Sequence, residues 1–279
     1  MRFIVPFGVE GAADRAARAF SLSLGRGRGV IENIPGDGGL RGIRRANMLA
    51  AAGEPTLFLS TPTSHILLPL RRCEEGTPAQ AFAPLAGLGS APNVLLVSRQ
   101  LGVRDVAGLV ERARQERLVY ASAGTGQTIH LCTALFCRQA GIAMEHRPYD
   151  AGSATAYADI EAGRVHVYFD NVLACPGPVD AGIVVPLAVS ADRRTRLMPS
   201  VPTLAECGFP RHSLDIWFGV FGANLDDAMR DRLASSRGDA RLAAALDATG
   251  LSGGVSAGAE LALTIEESRS RWREALDAA

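Results

Sequence analysis

The sequence contains no lysine: all 29 basic residues are arginine, balanced by 29 Asp and Glu for a net charge of zero. Without lysine there is no Schiff-base nucleophile, which excludes pyridoxal-phosphate and lysine-aldolase chemistry. A P-loop lysine is missing for the same reason, which excludes ordinary nucleotide hydrolysis. No basic excess or stripe exists, so no nucleic-acid partner is expected; arginines pair only at Arg44–Arg45, Arg71–Arg72 and Arg193–Arg194. No apolar run reaches the roughly 18 residues of a membrane span. The opening MRFIVPFGVEG has one charge and an apolar run that stops at Pro6, too short for a signal-peptide core. As written, the chain reads as cytosolic or as missing its export signal. Cysteine is scarce and odd in number: Cys73, Cys132, Cys137, Cys175 and Cys207, with no CxxC. That suits neither a zinc site nor a disulfide framework, and buried free thiols, which lean towards a reducing compartment, are expected. No spacing of His, Cys or carboxylates demands a metal. No dinucleotide fingerprint is present either, because SAGTGQ lacks the third glycine and the later acidic residue. No cofactor is expected.

What is present is enough for one large domain or two small ones, with 279 residues and 47% hydrophobic content. Strands and helices alternate, as hydrophobic periodicity switches between two and near four. The spacing predicts strands at Phe3–Val5, Val30–Ile34, Thr56–Ser60, Asn93–Ser98, Leu118–Ala121, Glu145–Arg147, Val165–Phe169, Val184–Ser190 and Ile216–Gly222. Helices are predicted at Asp14–Leu24, Leu40–Ala52, Val106–Gln115, Thr128–Ala140, Ala154–Ala162, Asp226–Ser236, Asp239–Ala248 and Ala257–Ala278. Strand-turn-helix-strand order implies an α/β fold with a parallel sheet and covering helices.

Four Gly-, Ser- or Thr-rich loops each lead from a strand end into a helix: Pro6–Asp14, Pro35–Leu40, Ser122–His130 and Tyr149–Thr155. A fifth, Ser60–His65, adds hydroxyls and an imidazole. Open α/β sheets bind ligands beyond the carboxyl ends of their strands. Helix N-termini there offer free N–H groups and a positive dipole end to a carboxylate or phosphate. Each loop alone also reads as a plain helix cap. His65 and His130 read as site residues or as caps and packing, and His166 as core or surface. No sequence-local base accompanies Ser122 or Ser153, and G-x-S-x-G is absent.

The strings RFIVPF…GAAD, VIENIPGDGG, SAPNVLLVS, LVYASAGTGQTIHL, HRPYDAGSATAYADIEAGRVHVYFDN, PLAVSADRRTRLMPSVPTLAECG and WFGVFG occur in that order over nearly the whole chain. In combination they resemble the substrate-binding proteins of tripartite tricarboxylate transporters, the Bug or TctC-like family. The resemblance implies a two-lobed, Venus-flytrap periplasmic-binding-protein fold, each lobe a mixed, mostly parallel sheet flanked by helices. Lobe 1 would comprise residues 1–97 and 214–279, lobe 2 residues 98–213, with NVLLVS and DIWFGVFG as hinge strands and Tyr149 and Trp217 packing at the hinge. A small carboxylate would sit in the interdomain cleft, held by backbone N–H groups, small hydroxyls and waters, for delivery to membrane transporter subunits. The resemblance assigns the ligand to Gly8, Val9, Glu10, Gly11 and Ala12 in the first loop, with Thr61, Thr63, Ser64 and His65 beside it. It adds Ser122, Gly124, Thr125, Gln127 and Thr128, then Gly152 and Ser153, and Asp170. Asp170 reads equally as an N-cap of the next helix. The protein is expected to be a monomer, periplasmic by resemblance.

The first loop departs from the family pattern PFxxGGxxD at Glu10, which stands where a glycine is expected and would repel an anion. Asp150 stands where the family often has a basic residue. These departures support an alternative, a cytosolic isomerase, hydrolase or lyase of an organic acid with Glu10, Asp150 or His65 as general acid/base. A sensory role for the same cleft is a third reading.

Overall fold

The computed structural model describes residues 1–9, 11–24, 29–72, 82–149, 153–235 and 238–279. Its strands are β1 (Arg2–Val5), β2 (Val30–Asn33), β3 (Thr56–Ser60), β4 (Ala83–Ala91), β5 (Asn93–Ser98), β6 (Val119–Ser122), β7 (Glu145–Pro148), β8 (Val167–Asn171), β9 (Val184–Val189), β10 (Ile216–Ala223) and β11 (Ser256–Ala257). The helices are α1 (Ala12–Ser23), α2 (Leu40–Ala51), α3 (Leu68–Arg72), α4 (Val106–Gln115), α5 (Thr128–Ala140), α6 (Ser153–Glu161), α7 (Pro176–Asp180), α8 (Asp227–Ser235), α9 (Ala240–Thr249) and α10 (Gly258–Leu276). They form two compact units, Met1–Ala91 with Ile216–Ser270, and Pro92–Asp215 with Arg271–Ala279.

In the first unit the sheet order is β11-β4-β10-β3-β1-β2. β1 runs parallel to β2 and β3, while β10 runs antiparallel to β3 and β4. β3 (TLFLS) is buried along its whole length, which suits a central strand covered on both faces. The core-facing side of α1 is read off its spacing: Ala13, Ala16, Ala17, Phe20 and Leu24 are buried, and Phe20 meets Phe3 edge-on at 6.1 Å. In the second unit the order is β7-β6-β8-β5-β9, with β6 parallel to β7 and β8, and β5 antiparallel to β8 and β9. Both sheets are therefore mixed, and antiparallel pairs are at least as numerous as parallel ones. The all-apolar run of NVLLVS becomes the fully buried β5.

The predicted strands and helices are all found, with ends displaced by two residues at most. The unit boundaries fall at 91/92 and 215/216, beside the 97/98 and 213/214 that the resemblance implies. β5 belongs wholly to the second unit because both its partners do, and β10 wholly to the first. The second unit also takes in the end of α10, from Arg271.

β4 was not foreseen, because APLAGLGSA carries two glycines and a proline. The glycines are there for approach. Gly89 has φ +100°, and a Cβ on it would lie 2.4 Å from Ser252 O, the carbonyl that accepts Ser90 N–H at 2.8 Å. Gly53 has φ +75° but nothing within 4 Å of such a Cβ. Gly53→Ala should therefore cost about 1 kcal/mol, and Gly89→Ala about 3 kcal/mol, since strain and collision add. Urea titration of the two variants checks the difference, and equal losses would exclude the close approach as the reason for Gly89.

Candidate functional site

The loop after β1 is held from behind. Asp14, 1% exposed in the first turn of α1, accepts hydrogen bonds from Arg18 Nε (2.8 Å) and Asn33 Nδ2 (2.9 Å). Asn33 Nδ2 also donates to Phe7 O at 3.2 Å. Strand β2 thus clamps the loop to α1. Gly8 and Val9 are exposed at its tip, Gly11 is the N-cap of α1, and Ala12 is the first helical residue. The N-cap Gly11 offers no side chain to the first N–H groups of α1. Glu10 lies outside the described residues. The clamp rests on α2, whose Gly42 meets Pro6 so closely that a Cβ would lie 2.5 Å from Pro6 Cβ.

After β3 the expected loop is instead a helical turn of π type, Thr63–Leu67, running into α3. Local hydroxyls account for this: Ser64 Oγ accepts Thr61 N–H at 3.0 Å, its hydroxyl lies 3.2 Å from Thr61 O, and His65 N–H donates to Thr61 O at 2.9 Å. Thr61, Thr63 and Ser64 are buried. Ser64 Oγ also pairs with Ser60 Oγ at 3.1 Å. Thr61 Oγ1 is buried and has no hydrogen-bond partner among the described residues. His65 stacks on Phe221 at 4.6 Å, lies edge-on to Trp217, and has Nδ1 3.4 Å from Ser60 Oγ. Burial, then the Arg269 cation, push its pKa down to about 4, against a smaller opposing effect of Glu266. It is a neutral packing imidazole at ordinary pH. Trp217 is 3% exposed and donates to Ser268 Oγ at 3.1 Å.

In the second unit the turn between β6 and α5 carries Gly124 at φ +128° and Gly126 at φ +72°. Thr125 is exposed at its tip, Gln127 is the N-cap of α5, and Thr128 is buried as the first helical residue. Gln127 does not cap the helix; its amide donates back to Ala123 O at 2.6 Å. Ser122 is fully buried. Its Oγ accepts Gly124 N–H at 3.2 Å and lies 2.7 Å from His146 Nε2. A base therefore does stand beside Ser122, supplied by β7, where β6–β7 pairing sets Tyr120 opposite His146. Among the described residues no carboxylate bonds to that imidazole, so the orienting acid of a nucleophile–base–acid set is not in evidence.

Ser153 opens α6 half-buried, while Asp150 and Gly152 lie outside the described residues. Tyr149 is half-buried and its hydroxyl donates to Asp159. Asp170 is not an N-cap but part of β8. It is 4% exposed, and its carboxyl accepts Tyr157 O–H at 2.9 Å and Asn171 N–H at 2.8 Å. Burial raises its pKa to about 6 against those two hydrogen bonds. Burial first, then Asp170, push the Tyr157 hydroxyl far above its ordinary value. The sequence reading gave Asp14 only as the last residue of the first loop and the start of the next helix, and assigned no role to Asn33 or His146.

Cys132, Cys137, Cys175 and Cys207 are free thiols, and Cys73 lies outside the described residues. Among the described residues no group of three or more His, Cys, Asp or Glu is placed to hold a metal ion. No helix among them is long and apolar enough to cross a membrane.

A protein described as "UPF0065 protein in tcbD-tcbE intergenic region" from Pseudomonas sp. (strain P51) is 34% identical over 228 residues, 78% of this chain and 66% of that protein. Protein BugT of Bordetella pertussis is 30% identical over 227 residues, 79% of this chain and 69% of BugT. The chain thus spans about two thirds of the length of these relatives. Among solved structures, R. palustris Rpa4515 with adipate superposes at a TM-score of 0.85 with 28% identity, covering 100% of this chain and 96% of that one. MatC from Rhodopseudomonas palustris, with bound malate, gives 0.81 at 23% identity over 99% and 98%, a likeness of fold. Residues 13–256 match the family described as "Tripartite tricarboxylate transporter family receptor", and the chain belongs to that family.

Proposed function

We propose that the protein is a solute-binding receptor for a small organic carboxylate, without chemistry of its own, which delivers the ligand to membrane subunits of a tripartite transporter. The observation that carries this reading is the pair of uncapped helix starts. α1 and α5 each begin after a strand-end glycine turn, and their N-cap residues, Gly11 and Gln127, make no side-chain cap hydrogen bond. Such ends hold a carboxylate by N–H donors and a positive dipole end, and need no lysine. The donors proposed are the backbone of Gly8, Val9, Gly11 and Ala12, with Thr61 Oγ1, in the first unit. In the second they are the backbone of Thr125, Gln127 and Thr128, with Ser153 and the Asp170 carboxyl as a partner for a ligand hydroxyl. Thr63 and Ser64 support Thr61, and His65 walls the turn. Ser122 and Gly124 shape the second turn. The adipate complex of Rpa4515 supports the ligand class. The periplasm is the place of action, and a single chain is the working unit, which light scattering on the purified protein checks.

Calorimetric titration with adipate, malate and citrate tests the reading. Binding of at least one with micromolar affinity, about −8 kcal/mol, is expected. Thr61→Val should weaken it about tenfold, the worth of one hydrogen bond to a charged group. No heat with any of a broad panel of acids would remove the proposal.

A further inference from the structure

Two imidazoles stand behind the turn between β6 and α5, and the receptor reading gives them no task. His130, in the first turn of α5, and His146, in β7, lie with ring centroids 4.1 Å apart and planes 33° apart. Tyr120 of β6 extends the stack, 4.9 Å from His146 and 6.2 Å from His130. Each imidazole reaches the turn through one nitrogen. Gly126 N–H donates to His130 Nδ1 at 3.1 Å. His146 Nε2 lies 2.7 Å from Ser122 Oγ, which accepts Gly124 N–H at 3.2 Å. The two glycines with positive φ are thus the two whose amides are tied inward, one directly and one through a serine.

Proton counting fixes the state this needs. An imidazole nitrogen that accepts an N–H carries no proton, so His130 is neutral here with its proton on Nε2. An imidazolium has two donors and no acceptor, and would aim an N–H at Gly126 N–H. We propose that His130 is a positioning residue for the carboxylate site: neutral and stacked on His146, it holds Gly126 inward so that the start of α5 stays open to the ligand, and its protonation releases the turn. The ligand part rests on the receptor reading; the tie to the turn does not. Other titratable groups at the stack are Tyr120, whose pKa burial raises to about 12, and Cys137 beside it, whose thiol burial also raises to about 12. Both stay neutral below about pH 8. Burial holds His146 below the usual imidazole range.

The opposing physics is clear, since a cation near an anion site would by itself tighten binding as pH falls. The experiment decides between the two signs. Amide exchange of Gly124 and Gly126 is followed by NMR at about pH 7.5 and about pH 5, corrected for intrinsic rates, with adipate calorimetry at the same two values. Wild type should lose about tenfold in Gly126 protection and in adipate affinity on acidification, the worth of one lost hydrogen bond. His130→Asn places an amide oxygen where Nδ1 accepts and cannot be protonated; its ratio between the two pH values should stay within about twofold. Gly124, whose N–H is accepted by the Ser122 hydroxyl whichever way the His146 proton points, should keep its protection at both pH values and serves as the control. Unchanged Gly126 protection in wild type, an equally steep fall in His130→Asn, or tighter binding at low pH would overturn the proposal. Absence of adipate binding at about pH 7.5 would count against the receptor reading, while the amide data would still judge His130.

Discussion

Replacing His212 by Phe is expected to make the second unit gain stability on wild type as pH falls from about 6.5 to about 4. His212 is 2% exposed, stacks on Phe169 at 5.7 Å and meets Phe136 edge-on at 6.4 Å. Its Nδ1 lies 3.3 Å from Gln139 Oε1, and its Nε2 has no partner among the described residues. Burial pushes its pKa from 6.5 down to about 3. The unfolded chain therefore takes up this proton below about 6.5 while the folded chain does not. The stability contributed by a neutral His212 is complete above that pH and drains away as pH falls, by about 3 kcal/mol at pH 4. Asp170, in the same unit, has the opposite sign. Its pKa is raised from 3.8 to about 6, so the burden of its buried charge is lifted as pH falls through 6, a gain of similar size. In wild type these two contributions nearly cancel over this range. With His212→Phe the Asp170 gain is no longer offset, and the variant should gain about 3 kcal/mol on wild type between the two ends of the range. Urea titrations read by exchange of β5 and β8 amides measure it. Adding Asp170→Asn should erase the gain, and parallel pH profiles for wild type and His212→Phe would show that the imidazole titrates normally.

The fold was legible because its buried strands are short apolar runs and its helices keep one apolar stripe. NVLLVS and TLFLS have few other readings. β4 was hidden because its glycines answer to Ser252 and Ser256 on a neighbouring segment, a constraint that no local pattern carries. The turn after β3 was hidden for the opposite reason. Its Thr-Pro-Thr-Ser composition reads as a loop, yet the same hydroxyls, bonded to Thr61 N–H and O, start a helix. The site divided in the same way. Glycine turns at strand ends are visible in sequence, because φ > 0 and helix starts are local facts. Their supports are not: Asn33 reaches Asp14 across 19 residues, and His146 reaches Ser122 across 24. Parallel strand pairing makes both contacts, and it exists only once the sheet has formed. Ser122 shows the consequence. It was read as a hydroxyl offered to a ligand, whereas the structure spends its oxygen on Gly124 N–H and the His146 ring.

The support of the first loop yields the other large expected effect. Asp14→Ala should cost the first unit about 2–3 kcal/mol, chiefly from stranding the Asn33 amide beside Phe7 O. The Arg18 half of the cluster contributes little of this, because the Arg18 side chain is 55% exposed and water screens the pair. Asp14→Asn keeps an acceptor for Asn33 and removes only the charge, so its loss should stay near 1 kcal/mol, mostly the acid's favourable place at the start of α1. Ligand affinity should separate the same two variants. Asp14→Ala unties α1 from Asn33, the residue that also holds Phe7 O, and should weaken adipate binding about tenfold. Asp14→Asn retains the clamp and deletes a negative charge near a proposed anion site, so its affinity should hold or rise. Chemical denaturation gives the first pair of numbers and calorimetry the second. If both variants bind as wild type does while Asp14→Ala is destabilised as stated, the clamp serves folding alone, and the first loop is not where the anion is held.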